Sequence, residues 1–282
     1  MIVLTLIQTS QNRFDDVKRF VDSLNRQENL LFSSIQYIFL DQGDNKNAFK
    51  NLNKAIDFKY ISISPCSLSH ARNLGLKHVK GKFIGFPDDD CWYESNTLSL
   101  IIDRLKEYDG VSAKGLDERG NLTNNFPHKG TFIISRYHHY GAISYTIFLR
   151  FFPNVYFDEN IGVGSSYGLH SGEETDYIIQ VQNIATKQMI YDSSIIVHHP
   201  LNGLGNYCDL KRKTYFYARG HGYIMRKNNY PFIHILLSLV RPIVGVCLYF
   251  FVFKFARSIQ SYLLLKGRIE GLNIYSRIRK CQ

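Results

Sequence analysis

Along the first ninety residues, short apolar runs alternate with amphipathic stretches. IVLTLIQ (2–8) is a β-branched run of strand length. The FDDVKRFVDSLNR that follows (14–26) places Phe14, Val17, Phe20, Val21 and Leu24 on one helical face. IQYIFL (35–40) predicts a second strand that ends in the turn-rich DQGDN, and FKYISIS (58–64) predicts a third. CSLSHARNLGLKHVKG (66–81) predicts a helix, with Ser67 or Ser69 near its cap and Gly81 after its end, and KFIGF (82–86) a fourth strand. Strand–helix units of this length imply an α/β fold with a parallel sheet covered by helices on both faces. Ligands of such sheets bind at the carboxyl ends of the strands.

The pattern then loosens. Residues 107–165 are rich in Gly, Asn, His and Tyr, as in YHHYGAISY, with short strand-like pieces. GEETDYIIQVQNIAT (172–186) predicts a helix with an acidic first turn, which the helix dipole favours. MIYDSSIIVHHP (189–200) predicts a strand pair that ends in two histidines. In the last quarter, FIHILLSLVRPIVGVCLYFFVF (232–253) approaches the ~20 apolar residues that span a bilayer. Arg241-Pro242 interrupts it, so the expectation is two half-length hydrophobic helices in the membrane interface, their basic flanks on anionic headgroups. A true span, a buried hairpin or a dimer interface are the alternatives. The expected organisation is a catalytic domain over 1–228, with halves 1–106 and 107–228, and a hydrophobic, basic helical segment over 229–282.

Composition narrows the class. Hydrophobic residues make up 45% of the 282, which excludes global disorder. Five cysteines without a CxxC fit a reducing compartment better than a disulfide framework. The net charge of +10 calls for an anionic partner, whether nucleic acid, a phosphate-bearing substrate or an acidic membrane. Nucleic acid is the weakest of these, because the charge gathers near the C-terminal apolar segment and no reader motif appears. The apolar N-terminus lacks a basic leader and reads as a strand rather than a signal peptide.

The fourth strand ends in FPDDDCW (86–92), three adjacent like charges that a divalent cation would reconcile. A solvated acidic turn is the plain alternative. SHARNLGLKHVKGKFIGFPDDDCWY (69–93) resembles the donor signature of family 2 glycosyltransferases, commonly ARNxGLxxAxGxxIxFLDxDD. Ala71, Arg72, Asn73, Gly75, Leu76, Gly81, Ile84, Phe86, Asp88 and Asp90 match it in order and spacing, while Pro87 and Cys91 depart from it.

The resemblance implies a GT-A fold, Rossmann-like, that binds a nucleotide-diphosphate sugar through a DXD motif. Asp88 and Asp90 would hold Mn2+ or Mg2+, with Asp89 between them and Arg72 on the phosphates or ribose. VLTLIQTSQNR and IFLDQGD resemble the first two strands of the family, which implies Thr9, Arg13 and Asp41 on the donor. Gln42 replaces a common aspartate there. FDENIGVGSSYGLHSGEETDYIIQ (157–180) resembles the acceptor-side segment FDExxGxG…GEDxDLxxR. Glu174 stands where the catalytic aspartate is usual, with Glu173 and Asp176 as alternatives for the base. Trp92, Gly172 and Glu173 would meet the acceptor, and His198 or His199 would meet metal or phosphate. Arg219 and His221 would face an acceptor phosphate. Trp92 and the histidines have plain alternatives as packing and turn residues.

The activity so implied is inverting transfer of a sugar to a lipid-linked or growing surface polysaccharide of the O-antigen or capsule type. UDP is the expected nucleotide, with dTDP and GDP sugars as alternatives. The implied location is peripheral or monotopic, at the cytoplasmic face of a bacterial inner membrane. A homo-oligomer is compatible with all of this. The rival classes are a non-catalytic nucleotide-sugar-binding protein and a nucleotidyltransferase.

Overall fold

In the computed structural model, which describes residues 1–201 and 207–281, the alternating runs become β1 (Leu4–Ser10), α1 (Phe14–Asn25), β2 (Ile35–Asp41), β3 (Asp57–Ser62), α2 (Leu68–Leu76) and β4 (Phe83–Gly85). β5 (Trp92–Tyr93), α3 (Thr97–Glu107), β6 (Gly110–Leu116), β7 (Thr131–Ile133) and β8 (Ile147–Arg150) follow. The chain continues through α4 (Glu173–Gln182), β9 (Met189–His198), α5 (Tyr207–Lys227), α6 (Phe232–Phe251) and α7 (Phe255–Cys281). It divides into two units. The first comprises residues 1–66, 70–157 and 177–201, and the second 67–69, 158–176 and the chain from 202 onward.

In the first unit, the nine described strands form one mixed α/β sheet in the order β3-β2-β1-β4-β8-β6-β9-β5, with β7 also paired to β9. β1, β2, β3, β4, β6 and β9 run in one direction and only β5, β7 and β8 oppose them. The carboxyl ends at Ser10, Asp41, Leu116 and His198, and the segment leaving β4, therefore share one edge. β2 is buried along its whole length, as a central parallel strand requires. One core layer joins α1 through Val17, Phe20 and Leu24 to Tyr37 and Phe39. The other joins Ile7, Ile84 and Phe86 to Phe157 and Tyr177. Gly75 fits α2 to the sheet, because a Cβ there would stand 2.5 Å from the Ile7 side chain.

Two expectations are corrected. MIYDSSIIVH is one ten-residue strand, not a pair. Its polar centre is a bulge, where pairing jumps from Asp192 opposite Ala113 to Ile196 opposite Lys114, and Asp192 accepts bonds from the Ser194 backbone and hydroxyl. The apolar segment is also one helix rather than two, with Pro242 inside α6. Proline at 242 removes the donor for the Ser238 carbonyl, and Arg268 Nη1 from α7 donates to that carbonyl instead.

The second unit packs Ile161 and Leu169 against Tyr223 and Ile224 of α5 and Ile278 of α7. α7 crosses α5 at backbone contact. A Cβ on Gly271 would lie 2.0 Å from the Arg219 carbonyl, and one on Gly267 2.6 Å from that of Tyr215. α6 and α7 pair antiparallel, with Ser258 Oγ donating to the Val246 carbonyl. α6 is the one helix, among the described residues, long and apolar enough to cross a membrane, and little of it is buried. It is a candidate membrane-association segment. Of the basic tail, Arg279 and Lys280 lie with their side chains outside the described set.

Candidate functional site

The aspartates lie where β4 runs out into a loop at the carboxyl edge, and each finds a cationic partner. Arg13, at the start of α1, forks between two of them: Nη1 to Asp89 Oδ1 at 2.7 Å and Nη2 to Asp90 Oδ2 at 3.0 Å. Arg72, buried on α2 over the rings of Phe86 and Phe157, reaches Asp88 Oδ1 at 3.3 Å. His199, just past β9, has Nε2 2.8 Å from Asp90 Oδ1 and 3.9 Å from Asp88 Oδ2. Its ring stacks on Tyr145, and its Nδ1 lies 2.8 Å from the Pro200 carbonyl.

The carboxylates are not electrostatically alike. Burial pushes Asp88 above the ordinary carboxylate range, against the pull of Arg72 and His199. Burial likewise raises Asp89, against a bond from Ser10 and the charge of Arg13. At Asp90 burial also acts upward, but His199 and Arg13 prevail and hold it low. Burial would lower His199, yet its contact with Asp90 raises it. The site thus has two carboxylates whose charge is incompletely compensated, beside a third that is well paired.

Several residues frame these groups without any signal in the sequence pattern. Gln8 is fully buried inside β1. Its Nε2 donates to the Asp88 carbonyl at 2.9 Å, and its Oε1 accepts from Tyr37 Oη at 2.5 Å. Ser10 Oγ donates to Asp89 at 2.7 Å and Ser144 Oγ to Asp88 at 3.1 Å. A buried glutamine within an apolar run is the only trace of this that a reader of the sequence could have followed.

The other proposed donor residues have structural engagements. Asp41 is fully buried and accepts from the Gly43 and Asn45 amides, Asn45 Nδ2 and Tyr60 Oη. These bonds outweigh burial and hold its carboxyl low, while burial and Asp41 push Tyr60 up to about 12. A nucleobase bond to Asp41 would have to displace one of them. Thr9 Oγ1 donates to the Leu40 carbonyl and accepts from Gln42. Trp92 has Arg19 over its ring at 4.3 Å and His198 in a parallel stack at 5.2 Å, so its ring is engaged in packing. His198 itself turns towards Glu94, 3.1 Å away, which leaves His199 as the histidine at the aspartates.

In the second unit, Glu173, Glu174 and Asp176 occupy the first turn of α4, after Gly172. Asp176 is fully buried and bonds Lys227 at 2.8 Å and Asn228 at 3.0 Å. Lys227 also meets Asp158 at 2.7 Å, and Tyr223 donates to Asp158. Asp176 is therefore committed to an ion-paired network, whereas Glu174 is half-buried at the helix start. Arg219 stands 3.6 Å from Glu270.

Asp88 and Asp90 offer hard oxygen donors with one imidazole nitrogen beside them, a set suited to Mg2+ or Mn2+. Among the described residues no three His, Cys, Asp or Glu groups form a ready-made cage.

The comparisons bear on the fold and the family. The S. aureus TarS crystal structure superposes with a TM-score of 0.60 at 15% identity over 94% of this chain, which spans 55% of the TarS chain. Its 1–349 fragment gives 0.61 at 15% identity, covering all of this chain and 92% of the fragment. That fragment has also been solved with UDP and with UDP-GlcNAc. A mannosyltransferase from Pyrobaculum calidifontis, solved with GDP-Man and Mn2+, gives 0.57 at 12% identity, covering 97% of this chain and 75% of its own. At these identities the likeness establishes the GT-A fold. No curated protein sequence matches significantly. The family model described as glycosyl transferase family 2 matches residues 5–162, more than half the chain, so this protein belongs to that family and is a glycosyltransferase.

Proposed function

We propose that the chain transfers a sugar, with inversion, from a nucleotide-diphosphate donor, UDP foremost, to a hydroxyl of a lipid-linked or growing surface polysaccharide. The observation that carries this reading is the set of three aspartates against Arg13, Arg72 and His199 at the carboxyl edge of the sheet. A divalent cation, Mn2+ or Mg2+, held by Asp88 and Asp90 with His199 as the nearest nitrogen, would screen the charge that builds on the departing diphosphate. The donor complexes of TarS and of the Pyrobaculum enzyme support a nucleotide-sugar substrate in this fold.

Arg13 and Arg72 then exchange carboxylate partners for donor phosphates, a switch that costs little because both contacts are charge-assisted. Thr9 and the loop shaped by Asp41 border the nucleoside. Glu174, which stands where the family's catalytic aspartate is usual, takes the proton from the acceptor hydroxyl. Glu173, Gly172 and Trp92 contribute to the acceptor side. Residues 1–228 form the catalytic part, and residues 229–282 attach it to the cytoplasmic face of a bacterial inner membrane.

The test is donor turnover with product analysis. UDP-sugars are supplied with Mn2+, nucleotide release is timed, and the anomeric proton of the product is read by NMR. Glu174→Gln is expected to lower kcat by about 100-fold or more while donor binding persists. Full activity in Glu174→Gln, or retention at the anomeric carbon, would contradict this reading.

A further inference from the structure

The segment between β6 and β8 reaches the aspartates only at its end, through Ser144 and Tyr145, and its earlier part builds an open cavity of about 660 Å3, within the size range of small-ligand sites. Asn124, Asn125, Phe126, His128, His138 and Tyr140 line it. Neither a carboxylate nor a lysine or arginine is among the lining residues. The rings behind and around it form a near-parallel series. Phe126 and Tyr140 both stack on Tyr191, with planes 15° and 27° apart, and His138 stacks on Tyr140 at 4.1 Å and 26°.

The backbone is held to serve this arrangement. Tyr140 sits at φ +50° and Gly141 at +78°, a left-handed pair that costs a bulky residue roughly 1–2 kcal/mol. Asn124 Nδ2 fastens the turn by donating to the Gly141 carbonyl at 3.0 Å, and Tyr191 Oη donates to the Pro127 carbonyl at 2.6 Å. Burial drives His139 down to about 4, so the histidine between the two ring residues adds no charge at neutral pH.

The position also fits an extended substrate. The segment leaves β6 at the same sheet edge as the aspartates. Thr123, next to Asn124, bonds Tyr145 Oη at 2.7 Å, Tyr145 stacks on His199, and His199 meets Asp90. A lining without carboxylate, lysine or arginine, which sets aromatic rings beside amide and imidazole groups, matches one ligand class. A neutral pyranose presents an apolar C–H face to aromatic rings and equatorial hydroxyls to polar neighbours. We infer that this cavity is a glycan subsite, which binds a neutral sugar of the acceptor beyond the residue that receives the transferred unit. The inference rests on the acceptor being a glycan, as proposed above.

The experiment uses the full chain and neutral tri- and tetrasaccharides of glucose, galactose, mannose, rhamnose and N-acetylglucosamine. Saturation-transfer NMR and titration read their binding, with uridine and adenosine as rival ring ligands. At least one oligosaccharide is expected to bind, with affinity at least 10-fold weaker in Tyr140→Ala and in Asn125→Ala and largely kept in Tyr140→Phe. Asn125 is exposed, so its variant serves if Tyr140→Ala does not fold. Binding unchanged in the folded variants, binding of nucleosides in preference to sugars, or no oligosaccharide bound at all would each overturn the subsite. Thermal stabilisation by UDP and Mn2+ is followed in parallel. Its loss in wild type would count against the transferase reading, whereas the subsite fails on the oligosaccharide results alone.

Discussion

Three adjacent aspartates are tolerated because Arg13, Arg72 and His199 answer them between them, and these three residues come from three separate parts of the sequence. The DDD run, Arg72 and a histidine after the last strand were legible from motif and spacing. Gln8, Ser10, Ser144 and Tyr145 were not, since nothing local marks a residue whose partner lies dozens of positions away. Tyr37→Phe isolates that hidden support. It leaves the Oε1 of buried Gln8 unpaired, so unfolding free energy should fall by about 2 kcal/mol in denaturant titration. The Lys227 network gives a pH signature. Burial would raise Asp158, but Lys227 holds it below its unfolded value of about 3.9. Its stabilising contribution is therefore full above about pH 4 and is lost as pH falls through the lower folded value. Lys227→Met should destabilise by about 3 kcal/mol at pH 7, taking the cation from buried Asp176 and half-buried Asp158, and the gap in Tm should narrow below pH 4.

At the scale of elements, periodicity identified β1, α1, β2, β3, α2 and β4, most of which bury one face or both, while β3, at the end of the strand order, is only half-buried. It failed where a local signal has a distant remedy. Asp192, Ser193 and Ser194 look like a turn, yet they are a bulge carried inside β9. Pro242 looks like a break, yet α6 continues because Arg268 supplies the missing donor to Ser238. The pairing makes a reciprocal prediction. Arg268→Met should destabilise the hairpin by about 1–3 kcal/mol, the cost of an unsatisfied carbonyl. Pro242→Ala should recover most of that loss in the double variant, since alanine restores the backbone N–H. Melting in detergent checks this, and additive effects would show that the two residues do not share the carbonyl.

For the whole molecule, the sequence conveyed the α/β class and the apolar C-terminal segment, while the grouping into two units depends on long-range packing that no local pattern encodes. α6 has 20 residues, about 30 Å of helix, and exposes Leu237, Val244 and Leu248. With a net charge of +10, the chain should float with vesicles rich in anionic lipid, and Leu237→Lys with Val244→Lys should reduce that recovery several-fold. The central claim is a donor site at Asp88 and Asp90, and a thermal-shift panel of UDP, GDP, dTDP and CDP, each with and without Mn2+, tests it most directly. A 100-fold excess over Kd stabilises by about 2.7 kcal/mol. One diphosphate, UDP foremost, should raise Tm only with Mn2+, and the shift should vanish in Asp88→Asn but persist in Glu174→Gln. A shift that survives Asp88→Asn, or none with any nucleotide, would contradict the account.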